Sequence, residues 1–335
     1  MVEVCEKHET DKREMRKVYV DTLINIAKSN QDIIVINCDL HSSMGTGAFE
    51  EAFPERSFNM GIQEANACGV AAGLSVMNYI PFFHSFAVFS TRRIFDQVFL
   101  SCAYSKLNVK IVGGDPGVTA AVNGGTHMPF EDLGIMRTIP NATLVEPSDS
   151  VMMSNLLPKI SEHYGVDYIR MSRKNVPKIY EEGSDFTIGK AVVLREGTDV
   201  SLIASGVCVY EALKAADSLE KEGISARVVD MFTIKPIDAD CIIDCAEKTK
   251  AIVTVENHNI INALGSAVSE VLSENFPVPM ERVGVMDCFG EVGPQEYLMK
   301  RFNLTEETIC EKARRAIERK ISIRGGAQIE ELSQI

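Results

Sequence analysis

Asn59-Met60-Gly61-Ile62-Gln63-Glu64-Ala65-Asn66 places a single carboxylate at the mouth of a helix built from unusually small residues. Behind Glu64 follow Ala65, Ala67, Gly69, Ala71, Ala72 and Gly73, which let another backbone approach closely. Further on, Phe82, Phe83, Phe86 and Phe89 offer an aromatic wall. Beside such a wall, desolvation disfavours the ionised carboxylate, so Glu64 is suited to share a proton with a heterocyclic nitrogen. The same residues also read as a helix-capping glutamate next to core phenylalanines. The rest of the chain decides between the two.

Outward from this stretch, short β-branched runs alternate with longer amphipathic ones, the pattern of parallel sheets with crossover helices. In the first half, strands are expected near Ile33–Asn37, Lys110–Gly113, Thr143–Val145 and Tyr168–Met171. Helices are expected near Arg16–Ala27, Gln63–Met77, Thr91–Ser105 and Ser148–His163. Glu146-Pro147-Ser148-Asp149 suits a strand end followed by an N-capped helix. A fresh α/β pattern begins past residue 188, with strands near Val200–Ala204, Ala226–Asp230 and Ala251–Val255 and helices near Val209–Glu222, Ala239–Thr249 and Ala263–Glu274. The expected organisation is two doubly wound, mostly parallel-sheet domains, 10–176 and 189–320, with a loosely attached tail, 321–335.

Composition narrows the function classes. The 335 residues suffice for two cores of ordinary size. A hydrophobic fraction of 45% and a charged fraction of 24% suit a globular protein, and no apolar run reaches the roughly 20 residues that span a bilayer. A net charge of −13 argues against a nucleic-acid surface. Nine cysteines without a CxxC or Cys/His pattern read as reduced thiols of a cytoplasmic protein that holds no metal of its own.

Chemistry-bearing residues gather where strands end, the edge at which open α/β sheets place ligands. Asp39-Leu40-His41-Ser42-Ser43 follows the first strand, and Glu64 and the phenylalanines come next. Gly113-Gly114-Asp115-Pro116-Gly117-Val118-Thr119 leads to Asn123-Gly124-Gly125-Thr126-His127, and Arg173 follows Met171-Ser172. On these segments the chain resembles the C-terminal section of a transketolase, of the type divided between two polypeptides. The resemblance runs from Arg16 to Ala316 and extends through Asp230-Met231-Phe232-Thr233-Ile234-Lys235-Pro236-Ile237-Asp238, Thr254-Val255-Glu256-Asn257-His258 and Asp287-Cys288-Phe289-Gly290-Glu291.

That resemblance implies a pyrimidine-binding domain joined to a transketolase C-terminal domain, thiamine diphosphate as cofactor, and transfer of a two-carbon ketol unit. Glu64 matches the catalytic glutamate on the aminopyrimidine nitrogen. Phe86, Phe89 and, less closely, Phe83 match the residues packing that ring, and Asp39 matches an aspartate lining the cofactor site. His127 matches the histidine that contacts substrate hydroxyls, and Ser43, Arg16 and Arg173 match contacts to the sugar's distal phosphate. His41, His84 and His258 fall at the site's edge without an assigned role.

Two departures from the family pattern fall on the sugar side. Asp115 stands where a histidine is usual, and Asn123 where the aspartate of a Glu-Asp-Gly run is usual. A carboxylate near an anionic tail costs affinity if it faces the tail unpaired, which points to a branched, differently substituted or sulfonated sugar. No Gly-Asp-Gly run with a following asparagine is present. The resemblance therefore implies a separate N-terminal subunit that ligates Mg²⁺ and the diphosphate, with two copies of each chain in a heterotetramer. Two other readings stay open: a β subunit of a 2-oxo acid dehydrogenase or a split deoxyxylulose-phosphate synthase, and a non-catalytic scaffold subunit.

Overall fold

The computed structural model describes residues 2–332. The first half contains α1 (Met15–Ser29), β1 (Ile33–Asn37), the short helices α2 (His41–Met44) and α3 (Gly47–Ala52), β2 (Ser57–Asn59), α4 (Glu64–Val76) and β3 (Ile80–Phe86). It continues through α5 (Ala87–Ser90), β4 (Val109–Gly114), α6 (Asp132–Met136), β5 (Thr143–Val145), α7 (Ser150–Glu162) and β6 (Val166–Met171). The second half contains β7 (Val192–Arg195), β8 (Val200–Ala204), α8 (Cys208–Lys221), β9 (Ala226–Asp230), β10 (Thr233–Lys235), α9 (Ala239–Thr249) and β11 (Ile252–Asn259). After them come α10 (Leu264–Asn275), β12 (Met280–Val285), α11 (Gln295–Arg301) and α12 (Glu306–Leu332).

The larger sheet has the order β10-β5-β6-β4-β3-β1-β2, and the smaller one β12-β11-β8-β9-β7. Pairing is parallel throughout except for β10 against β5 and β7 against β9. This is the expected α/β class with two mostly parallel sheets. The central strands β1, β4 and β6 are buried along their whole length, as strands covered by helices on both faces must be. The predicted N-cap is present: Asp149 accepts from Met152 N at 2.8 Å at the start of α7.

The second half also completes the first sheet, because β10 leaves β9 and pairs with β5. Arg170, buried on β6, locks the two halves together. It donates to Asp132 at 2.7 Å, to Glu146, and to the Asn257 carbonyl at 2.8 Å. Glu146 in turn accepts from Ser205 at 2.7 Å.

Three expectations differ from the structure. The stretch expected as one helix over Thr91–Ser105 is a 3₁₀ turn, Arg92–Ile94, followed by a π-helical segment, Gln97–Tyr104. The aromatic wall contains a strand, β3, whose Phe83 registers with Ile36 and Ile111. The tail expected from residue 321 continues α12 to Leu332, and residues 333–335 lie outside the described residues.

Candidate functional site

β6, β4, β3 and β1 are neighbours in the larger sheet, so the loops at their carboxyl ends are neighbours too. Those loops carry Arg173, Asp115, the Phe86–Phe89 pair and Asp39. Topology alone therefore gathers residues that are far apart in sequence along one edge.

At the cofactor side, Glu64 opens α4 and is only 3% exposed. Its carboxylate accepts from Arg93 Nη1 at 2.7 Å and from Ser85 Oγ at 3.3 Å. The sequence reading expects an aromatic surrounding that favours the neutral acid; Arg93 instead supplies a compensating cation. The Arg93 guanidinium, with its side chain 44% exposed, also lies 3.8 Å from the centroid of Phe89. Phe89 and Arg93 are four residues apart in sequence, on either side of the break at Thr91 that ends α5.

Phe86 and Phe89 are half-buried, with ring centroids 6.4 Å apart. His127 sits edge-on to both, at 5.8 Å from Phe86 and 5.2 Å from Phe89, and its Nδ1 is 2.9 Å from Thr126 Oγ1. Phe83 requires a correction. It is fully buried in a cluster with Ile36, Ala67, Ala71 and Ile111, which leaves no surface for a ligand ring. Asp39 is exposed at the end of β1, with φ 60°. Asn59 Oδ1 accepts from both Asp39 N and Gly61 N at 3.0 Å, holding this loop beside the one that leads to Glu64.

At the opposite side, the amino end of α1 docks on the loop after β6. Met15 N and Arg16 N donate to the Lys174 and Arg173 carbonyls, each at 3.2 Å, which satisfies donors a helix start leaves open. This brings Arg16 and Arg173 onto one acceptor, the Ser43 carbonyl, at 2.9 and 3.0 Å. The Arg173 guanidinium also lies 5.1 Å from the Phe86 ring. Asp115 does not stand alone near a tail: it forms an ion pair with Arg173.

The loop from Asp115 to His127 is shaped from the second half of the chain. Asn257 accepts from Val118 N at 2.9 Å and donates to the Pro116 carbonyl at 3.0 Å. Gly117 lies against it at φ 53°, where a Cβ would collide with Asn257 Oδ1. A Cβ on Gly125 would collide with the Gly290 carbonyl, so the 287–291 segment braces the turn that bears His127. Asn123 is exposed between Ala121, at φ 47°, and Gly124, at φ 76°.

His84 and His258 are core residues, not edge residues. His84 lies between Tyr19 OH at 2.8 Å and the Ile36 carbonyl at 3.2 Å, and burial lowers its pKa to about 4. His258 accepts from Gly134 N at 3.2 Å, and burial again lowers its pKa to about 4. His41 lies 3.2 Å from Glu50. Among the described residues, no group of three or more His, Cys, Asp and Glu could hold a metal ion.

The site thus offers a buried carboxylate, two half-open aromatic faces and a histidine against both. Arg93 demonstrates the fit, since a planar nitrogen donor reaches Glu64 while lying on Phe89. Once protonated, the ring nitrogen of an aminopyrimidine would donate to Glu64 in the same way, with a similar flat face against Phe89. Residues 11–178 match the family model for the transketolase pyrimidine binding domain, and residues 189–309 match that for the transketolase C-terminal domain. With both halves matched, the chain belongs to the thiamine diphosphate-dependent transketolase family.

The chain is 48% identical over 306 residues to the 6-deoxy-6-sulfo-D-fructose transketolase subunit of Clostridium sp. (strain MSTE9), covering 91% of this chain and 95% of that one. It is 34% identical to Homo sapiens transketolase, spanning 91% of itself but 49% of the human protein. A solved split gene transketolase, described as an inactive beta4 tetramer, superimposes with a TM-score of 0.84 at 42% identity. That match covers 92% of this chain and 99% of the other.

Proposed function

We propose that this chain is the pyrimidine-binding subunit of a two-chain transketolase that moves a two-carbon ketol unit from a non-standard ketose to an aldose. The observation that carries this reading is the placement of Glu64, buried and hydrogen-bonded, beside the half-open rings of Phe86 and Phe89 with His127 against both. In this role Glu64 gives up Arg93 and holds a proton at the aminopyrimidine ring nitrogen, while Phe86 and Phe89 pack the ring and Asp39 borders it. His127 orients substrate hydroxyls and moves a proton there. Ser43, Asn123, Arg16 and Arg173 face the sugar. Thiamine diphosphate supplies the electron sink for carbon–carbon cleavage when bound.

A second subunit completes the site by supplying Mg²⁺ and diphosphate ligands, in an assembly of two copies of each chain. Two facts support this: the chain covers 95% of the Clostridium transketolase subunit and 99% of the solved split gene transketolase chain, and apolar side chains stand uncovered beside the site. Ile62, Val122, Phe289 and Val292 are all exposed, Phe289 at 95%. A cytoplasmic setting fits nine unpaired thiols.

The test is to purify the chain with the subunit that accompanies it and assay transfer from ketose to aldose alongside decarboxylation of pyruvate. Ketol transfer is the expected result. Pyruvate decarboxylation without transfer would assign the chain to the 2-oxo acid branch, and an inert complex would make it a scaffold.

A further inference from the structure

The two arginines facing the sugar's far end do not present two free charges. Arg16 pairs with Glu14 at 2.7 Å through Nε and Nη2 and donates through Nη1 to the Ser42 and Ser43 carbonyls. Arg173 pairs with Asp115 and donates to the same Ser43 carbonyl. Other ionisable groups on the surrounding elements include exposed Asp39, Lys17 paired with Asp21, His41 at 3.2 Å from Glu50, exposed Lys174, and His127 against the phenylalanines. The clamp itself holds two cations and two carboxylates.

The two carboxylates differ in how firmly they are held. Glu14 is 38% exposed and can rotate into water when an anion arrives. Asp115 is 3% exposed and its partner Arg173 is 14% exposed. Asp115 is also fixed through its backbone: its N–H donates to the Met171 carbonyl at 3.1 Å, its φ is 55°, and Asn257 pins the turn that follows. Asp115 Oδ1 and Arg173 Nε are buried without a partner. An arriving anion can therefore displace Glu14 but not Asp115, leaving the clamp with one net positive charge.

Building on the function proposed above, we infer that Asp115 sets the charge of the substrate tail and that the clamp takes a monoanionic group, an organic sulfonate, in preference to a phosphate dianion. A sulfonate and a phosphate monoester share the tetrahedral oxyanion shape. They differ in charge, because the phosphate carries about −1.5 to −2 at neutral pH, with its second pKa at about 6. The buried Asp115 carboxylate repels that extra charge where solvent screens it least.

The experiment uses the purified two-subunit complex, one aldose acceptor and two ketoses differing only at carbon 6, 6-deoxy-6-sulfofructose and fructose 6-phosphate. Wild-type kcat/KM favours the sulfonate by about tenfold or more, and the gap lies in KM. Asp115→Asn narrows that gap by improving the phosphate ketose. In wild type, KM for the phosphate ketose falls as the pH drops from about 8 to about 6 and the phosphate gains a proton, while KM for the sulfonate ketose stays flat. The pH series needs no variant and stands even where Asp115→Asn misfolds. Equal or better use of the phosphate ketose, or equal pH profiles for both, overturns the charge inference while leaving ketol transfer intact. If neither ketose is used but other sugars are, the sulfonate assignment fails; if no sugar is used, the proposed function fails with it.

Discussion

Two arginine–carboxylate pairs border the same sheet edge, and they are enclosed to different degrees. At Glu64 the carboxylate is buried and the arginine is 44% exposed, so the cation can leave and a ligand can take its place. At Asp115 the carboxylate and the arginine are both sheltered, at 3% and 14%. A buried pair cannot lose one member cheaply, since the abandoned charge costs about 3–5 kcal/mol. The first pair therefore behaves as an exchangeable seat and the second as a fixed part of the wall, and fixed walls are where selectivity is built.

Glu64→Gln is the harshest way to break the comparison. It keeps the shape but removes the ionisable oxygen, and turnover of the assembled complex is expected to fall about 10²- to 10⁴-fold. Circular dichroism and subunit stoichiometry should be unchanged; near-normal turnover would refute the exchangeable-seat role.

Asp230 sharpens the comparison, because it is a buried carboxylate answered by hydroxyls. It accepts from Ser148 at 2.6 Å and Tyr180 at 2.7 Å, and burial pushes its pKa up to about 7. A pKa raised on folding means that the unfolded chain gives up its proton first as pH rises. Stability is then greatest below the unfolded value near 4 and declines until pH passes about 7. Relative to Asp230→Asn, the wild type should lose about 2 kcal/mol of unfolding free energy between about pH 5.5 and about pH 8, read by urea denaturation. A constant difference would show that Asp230 is ionised throughout.

Arg93→Ala tests the exchangeable pair most gently. With no internal cation to displace, the complex should bind thiamine diphosphate about three- to tenfold more tightly by titration calorimetry. Weaker binding would mean that Arg93 contacts the cofactor instead of yielding to it.

Much of this was legible in the sequence. The runs that became β1, β4, β6, β8 and β9 are short and rich in Val and Ile, even where a charged residue interrupts them, and Asp149 marked its helix start. β3 was hidden because Pro81, Phe82, Phe83, His84 and Ser85 lack the β-branched signature, and β10 is three residues long. Phe83 and Phe86 look alike in sequence, but both faces of β3 are covered, and only Phe86, the last residue of the strand, reaches the open edge. The Asp115–Arg173 pair depends on β4 lying beside β6, which is a property of strand order. The role of Asn257 as a brace likewise depends on the second half folding over the first.

Whether this chain holds only the pyrimidine side of a shared cofactor site is decided by calorimetric titration of thiamine diphosphate with Mg²⁺ into the isolated chain and into the two-subunit complex. Binding at least about a hundredfold tighter in the complex is expected, with ketol transfer appearing only there. Equally tight binding and turnover by the isolated chain would contradict it.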